Sequence, residues 1–435
     1  MGNSAPVPVS NKKLGVPIAS HVTSNRMYPI QQRGPILSAF ILFPDASNAS
    51  EYSQLFHVIT VSPRNIDMFC LLTGDIRSPR YSPVHGIQII SAVNCKESIL
   101  GNVIVVGESD KVFKVIDSYS LRSISQFSAG GTGKITTMIS PVPDLLYAGL
   151  HDGCIRVWHL AAQEPQLEIK GPAKMPGVRA LAYSNKHRFI ISGYDNSYQV
   201  DDGSQVKLDS NPLKMFYMNA LAQAFEPILL EGFTGSCFSI SLVESKNFAI
   251  ALSSQGSEIH IWDYLTCYKI LNFSVPSTGI NPEISCKIFS LVLPDENDCL
   301  LIGKSDGSIL ASTLMFSLEN LSLTWTPQQR IMPKLQEKGI EGIEMITFID
   351  YVPKLDAVLI GNASSNAIII SNFFSDCLGM EAPNERRNIL KANDSVEEIV
   401  ELKPGSELGM SSKEKMFEEE RQKILKTAEE EIKNN

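Results

Sequence analysis

LLYAGLHDGCIRVWHL, residues 145–160, is the stretch that decides the fold. An apolar run ends on Gly149, and a polar turn, His151-Asp152-Gly153, follows it. Ile155 and Val157 then alternate with Arg156 before Trp158. A two-residue period broken by a Gly-containing turn predicts two strands, each burying one face. FAIALSSQGSEIHIWDYLTCYKIL, residues 248–271, repeats the plan. Trp262 stands at the place of Trp158, and Trp262-Asp263 is a literal WD dipeptide.

Working outward, the pattern recurs with other residues at the Trp place. NVIVVGESDKVFKVIDSYS (102–120) has Ile116 there, and HVITVSPRNIDMFCLLTGD (57–75) has Phe69. FIISGYDNSYQV (189–200), CLLIGKSDGSILAS (299–312) and AVLIGNASSNAIIIS (357–371) repeat the front half. An apolar pair followed by glycine marks Gly107, Gly149, Gly193, Gly303 and Gly361, with Ser253 read at the glycine place of the 248–271 unit. A spacing of about 40–45 residues is that of a four-stranded propeller blade. A lone blade is apolar on both faces, so blades stack on one another to bury them.

These units resemble the WD40-repeat family. The resemblance implies an all-β fold, a seven-bladed β-propeller of four-stranded antiparallel blades. The blades fall at 36–78, 86–128, 134–171, 177–231, 235–275, 283–326 and 343–376. The last is short of strands, so residues 18–30 are expected to supply its outer strand and close the ring. Residues 1–17 then form an N-terminal arm and 18–376 the propeller. In the family a buried Trp, Ser/Thr, His and Asp form a polar set in each blade. Here the turn Asp is kept at Asp110, Asp152, Asp195 and Asp306, but the Gly-His pair is absent, with Gly131 and Phe233 at two of its places. The Asp side chains are therefore expected to cap turn amides or meet solvent.

The composition is that of an ordinary globular chain, 43% hydrophobic and 20% charged. A net charge of −9 argues against a general nucleic-acid binder. No apolar run reaches the length of a spanning helix, and the first residues lack a signal-peptide core, so a cytoplasmic location is expected. Met1-Gly2-Asn3-Ser4 has Pro6 where an acylation signal prefers Ser or Thr, leaving peripheral membrane attachment a minor reading. Arg386-Arg387 falls outside the blades and lacks the Phe-Arg-Arg-Gly run of phosphoinositide-binding propellers.

No catalytic, cofactor-binding or metal-ligating set is expected. The eight cysteines, Cys70, Cys95, Cys154, Cys237, Cys267, Cys286, Cys299 and Cys377, form no CxxC pair. The seven histidines show no metal-ligand spacing, and His151, Cys154 and His159 fall in and beside a turn. Residues 129–134, AGGTGK, lack the spacing of a phosphate loop and sit between blades.

After residue 376 the composition changes. Residues 377–410 read as a linker or strap. Residues 411–435 read as an amphipathic α-helical tail, with Ser411 and Glu414 as a capping box and Phe417, Ile424, Leu425, Ala428 and Ile432 on one face. A propeller followed by a C-terminal helix is also the layout of the coronins, without their N-terminal signature. The helix suits a free end, a partner helix in a hetero-complex, or weak self-association.

The expected function is a non-enzymatic protein–protein interaction scaffold or adaptor. The alternatives are a constitutive structural subunit of a larger assembly and a peripheral membrane adaptor. By the family pattern, residues preceding the turn Asp face a partner. That designates Ser109, His151, Tyr194 and Ser305, with Gln255 in the fifth blade, and Tyr194 as the aromatic anchor. Phe417, Ile424, Leu425 and Ile432 would carry helix contacts. The insertions at 201–213 and 327–342 are further candidates.

Overall fold

The computed structural model describes residues 26–29, 35–43, 57–70, 76–130, 133–170, 177–195, 212–218, 227–233, 235–253, 258–274, 288–292, 299–304, 307–317, 322–331, 345–352, 357–363 and 366–370. Among them lie seven four-stranded antiparallel sheets. Each of the first six blades takes its strands in sequence order. The second runs Ile89–Glu97, Gly101–Glu108, Val112–Asp117 and Ser123–Ser128, and the third Ile135–Ile139, Leu145–Leu150, Ile155–His159 and Glu164–Ile169. The inner strand of each sheet adjoins that of the next, and the seventh adjoins the first, so the sheets form a closed ring.

The seam joins distant parts of the chain. The seventh blade contains Ile346–Val352, Ala357–Asn362 and Asn366–Ile370, and its outer strand is Arg26–Pro29. Met27 pairs with Ile368 and Tyr28 with Ala367. The strand falls within the 18–30 segment read as the closing strand.

The core lies between neighbouring blades. Trp158 of the third blade is buried and meets Phe113 of the second edge-on, with ring centroids 4.9 Å apart. Phe189 and Met215 of the fourth blade share a cluster with Ala249 and Trp262 of the fifth. Each such side chain contributes about 1.5–3 kcal/mol by leaving water.

The recurring glycine has a steric cause. A β-carbon on Gly149 would lie 2.6 Å from Val178 Cγ1, and one on Gly303 would lie 2.6 Å from Ile346 Cγ2. Gly107 meets Ile135, Gly193 meets Cys237, and Gly361 meets Ile36 across the seam. Ile135, Val178, Cys237 and Ile346 each open the inner strand of the following blade, and Ile36 lies just before the strand Ser38–Leu42. Just after Ile135, Val178, Cys237 and Ile346 the inner strand carries a register shift. Such a bulge re-aims a side chain, here toward the blade before it.

Register also corrects the fifth blade. Gly149 pairs with Ile155, and Leu252 pairs with Ile259, so Leu252, not Ser253, stands at the glycine place. Leu252 is buried and packs with Leu300 and Ile302 of the sixth blade. The 327–342 insertion is corrected in part, because the outer strand of the sixth blade is Ser322–Ile331 and includes its first five residues. The 201–213 insertion, residues 377–410 and the 411–435 segment read as a helix lie outside the described residues, apart from Pro212 and Leu213, the latter opening the strand Leu213–Tyr217.

Candidate interaction surface

In a four-stranded antiparallel blade, the second-to-third-strand turns and the blade-to-blade connections emerge at one end. That end carries the candidate residues. Ser109 is half-buried; its amide donates to Gln88 O at 2.8 Å, and its hydroxyl accepts from the Gln88 amide at 3.0 Å. His151 is exposed, with its amide donating to Lys134 O at 2.8 Å. These are equivalent places in the second and third blades.

Tyr194 is not at that place. Asp195 makes the equivalent bond, to Gly177 O at 3.0 Å, whereas Tyr194 matches Glu108 and Leu150, one residue earlier. The turn Asp of the fourth blade is thus offset by one residue. Tyr194 is fully buried with Val178 and Phe216 and offers no surface to a partner. Gln255, Ser305, Phe417, Ile424, Leu425 and Ile432 lie outside the described residues.

The turn Asp residues split in role. Asp110 and Asp152 accept from the amides of Val112 and Cys154, capping their own turns. Asp195 instead accepts from the Arg179 guanidinium at 2.5 Å and from the Ser236 hydroxyl at 2.6 Å, linking the fourth blade to the fifth. Asp306 lies outside the described residues.

A cleft of 440 Å³ opens at the same end between the first two blades, lined by Arg64 and residues 82–88. Its walls are fixed from below. Ser62 and Asn65 bond to each other through backbone and side chain, which holds Arg64 at the turn apex. Val84 O accepts from the Ile87 amide at 3.0 Å, and Gly86, at φ 88°, supplies the left-handed residue this tight turn requires. Ile89 N donates to Pro63 O at 2.8 Å, tying the connection to the Arg64 turn. Beneath, the Tyr81 hydroxyl donates to Glu108 Oε1 at 2.6 Å, and burial with the neighbouring carboxylate pushes the phenol pKa up. Arg80 pairs with buried Asp67, which also accepts from Asn65.

Arg64, Ser82, Val84, His85, Gly86 and Gln88 are exposed at this cleft. Sequence reasoning missed this cleft. Its one local signal was the turn sequence Pro83-Val84-His85-Gly86, read only as the edge of a blade.

The opposite end presents a rigid apolar turn. Ile99 is 82% exposed and Leu100 45%. The buried Glu97 carboxylate accepts from both their amides, and Asp144 of the third blade accepts from Ser98.

Burial raises the pKa of four described thiols, Cys95, Cys154, Cys237 and Cys267. Burial pushes Cys95 up to about 12, and Cys237 is raised by the same cause. Both therefore stay protonated and unreactive at neutral pH. Among the described residues no group of three or more His, Cys, Asp or Glu could hold a metal ion, and no helix is long and apolar enough to cross a membrane.

Comparison with known proteins agrees with the geometry. The family model "WD domain, G-beta repeat" matches residues 121–159, the third-blade region. A chain of the "Crystal Structure of Mitotic Checkpoint Complex" shares the fold at a TM-score of 0.58 and 13% identity, over 85% of this chain and 96% of that one. No curated protein matches the sequence. The matched repeat and the closed ring of four-stranded blades give the chain a WD40-type β-propeller fold, with sequence similarity to the WD repeat at residues 121–159.

Proposed function

We propose that the chain is a non-enzymatic scaffold that assembles a multiprotein complex through the ends of its ring. The observation that carries this reading is the cleft between the first two blades. Hydrogen bonds fix its walls, while Arg64, Val84 and His85 point away from the core. Side chains held on a rigid scaffold bind with little ordering cost. The apolar turn at Ile99 and Leu100 gives the opposite end a second contact surface. Residues 411–435 act as a helical anchor within the same assembly, and the protein works in the cytoplasm.

Affinity purification of the full chain with quantitative mass spectrometry tests the reading. The expected result is a reproducible set of partners at near-stoichiometric yield. Recovery of the chain alone, at matched expression, counts against it. Deleting residues 411–435 tests the anchor separately: if every partner survives the deletion, the anchor role fails and the ring carries the binding.

A further inference from the structure

The geometry points to the cleft between the first two blades as a receptor for an acidic peptide segment. The inference rests on the scaffold reading and adds the chemistry of the ligand. In a chain of net charge −9, this 440 Å³ cleft is lined by Arg64 and residues 82–88, among which no Asp or Glu occurs. Its volume falls within the range of about 300–1,000 Å³ typical of ligand sites.

The cations of the neighbourhood divide into engaged and unengaged. Arg80 is spent on Asp67, and Lys114 pairs with Glu108 at 3.8 Å. Among the described residues, the Arg64 guanidinium is unengaged, and the His85 imidazole beside it makes no hydrogen bond or ion pair. Two nearby carboxylates, Glu108 and Asp67, are engaged by cations, and Asp110 stays exposed but is not among the described residues lining the cleft. Asp110 caps Val112, Glu108 holds Tyr81 and Lys114, and Asp67 holds Arg80 and Asn65. An anion entering the cleft therefore meets two donors and no carboxylate among the described lining residues.

The donors suit carboxylate or phosphate oxygens. Arg presents a planar fork of N–H groups that pairs with either, and His85 adds a ring N–H. Val84, 64% exposed beside them, offers an apolar contact to a flanking residue. A peptide fits better than a lipid surface. Anionic membranes are held by clusters of about 4–8 Lys or Arg spread over a face, and this cleft supplies one Arg and one His.

The test is fluorescence polarisation of the full chain with three labelled peptides: alternating Glu and Ser, alternating Gln and Ser, and the Gln peptide with phosphoserine. The variants are Arg64→Gln, His85→Gln and, as a control on the connection 118–122 at the opposite end, Arg122→Gln. The acidic peptides should bind at least about tenfold more tightly than the Gln-Ser peptide, and Arg64→Gln should remove most of that difference. Arg122→Gln should leave binding unchanged. The tighter of the two acidic peptides identifies carboxylate or phosphate as the natural anion.

Equal binding of all three peptides, no binding, or equal loss in Arg122→Gln would overturn the site. So would capture by vesicles carrying phosphatidylinositol bisphosphate with no response to peptide. The substituted side chains are exposed, so unchanged circular dichroism and melting temperature exclude misfolding as the cause. If the peptides fail while the partner set of Arg64→Gln matches that of the parent chain, this site falls and the scaffold reading stands.

Discussion

Gly149 of the third blade faces Val178 of the fourth so closely that a β-carbon on Gly149 would lie 2.7 Å from the Val178 Cβ. The contact repeats around the ring and across its seam, where Gly361 meets Ile36. The seam also carries a bond from Thr347 Oγ1 to Ile36 O at 2.8 Å, and Thr136 bonds Val178 O in the same way between the third and fourth blades.

Gly149→Ala should destabilise the protein by about 1–3 kcal/mol through overpacking. Gly107→Ala should cost less, because its nearest contacts are longer and include no β-carbon, Ile135 Cγ2 at 2.9 Å and the flexible Met138 Sδ at 3.2 Å. Urea midpoints of the two variants at matched m-values measure the difference. A neutral Gly149→Ala would contradict the interblade explanation of the glycine.

Tyr194 should behave as core. Tyr194→Ala should lower stability by about 3–5 kcal/mol, the usual cost of deleting a large buried aromatic. Tyr194→Phe, which keeps the packing, should leave partner recovery intact. A Tyr194→Phe chain that folds normally but loses partners would restore the residue to the binding surface.

Two groups, buried His260 and half-buried Asp350, should give stability opposite slopes with pH. Burial, reinforced by nearby Lys269 and opposed by Glu258, holds His260 down at about 4 from 6.5. The unfolded chain then binds the extra proton, so this contribution is present above about pH 6.5 and is lost as pH falls toward 4. Burial pushes Asp350 up to about 6 from 3.8, against the pull of its bond from the Tyr351 amide. There the folded chain holds the extra proton, and stability falls as pH rises from about 4 to 6. Asp350→Asn should abolish the second slope and His260→Asn the first, in urea titrations across pH 4–7. Identical pH profiles for both variants and the parent chain would refute the assignment.

Much of the ring was legible. Period-two alternation, the glycine spacing and the two Trp-bearing units marked the strands, and the shortness of the last unit pointed to a strand from the N-terminal region. What was lost depends on register. Ser253 was misplaced because it is small, like the glycine it was read to replace, and only the pairing of Leu252 with Ile259 separates them. Tyr194 was misplaced because the turn Asp was used as the ruler, and in the fourth blade that Asp comes one residue early. The cleft joins Arg64 and His85, 21 residues apart in sequence, and period-two patterning carries no information about which loops converge.

The closed ring underlies both the platform and its cleft, and hydrogen exchange at residues 366–370 tests it most directly. In the full chain the strand Asn366–Ile370 lies between Ala357–Asn362 and Arg26–Pro29. Its amides should exchange slowly, and deleting residues 1–29 should speed their exchange and lower the melting temperature. Unchanged protection and an unchanged melting temperature after that deletion would contradict closure by the N-terminal strand.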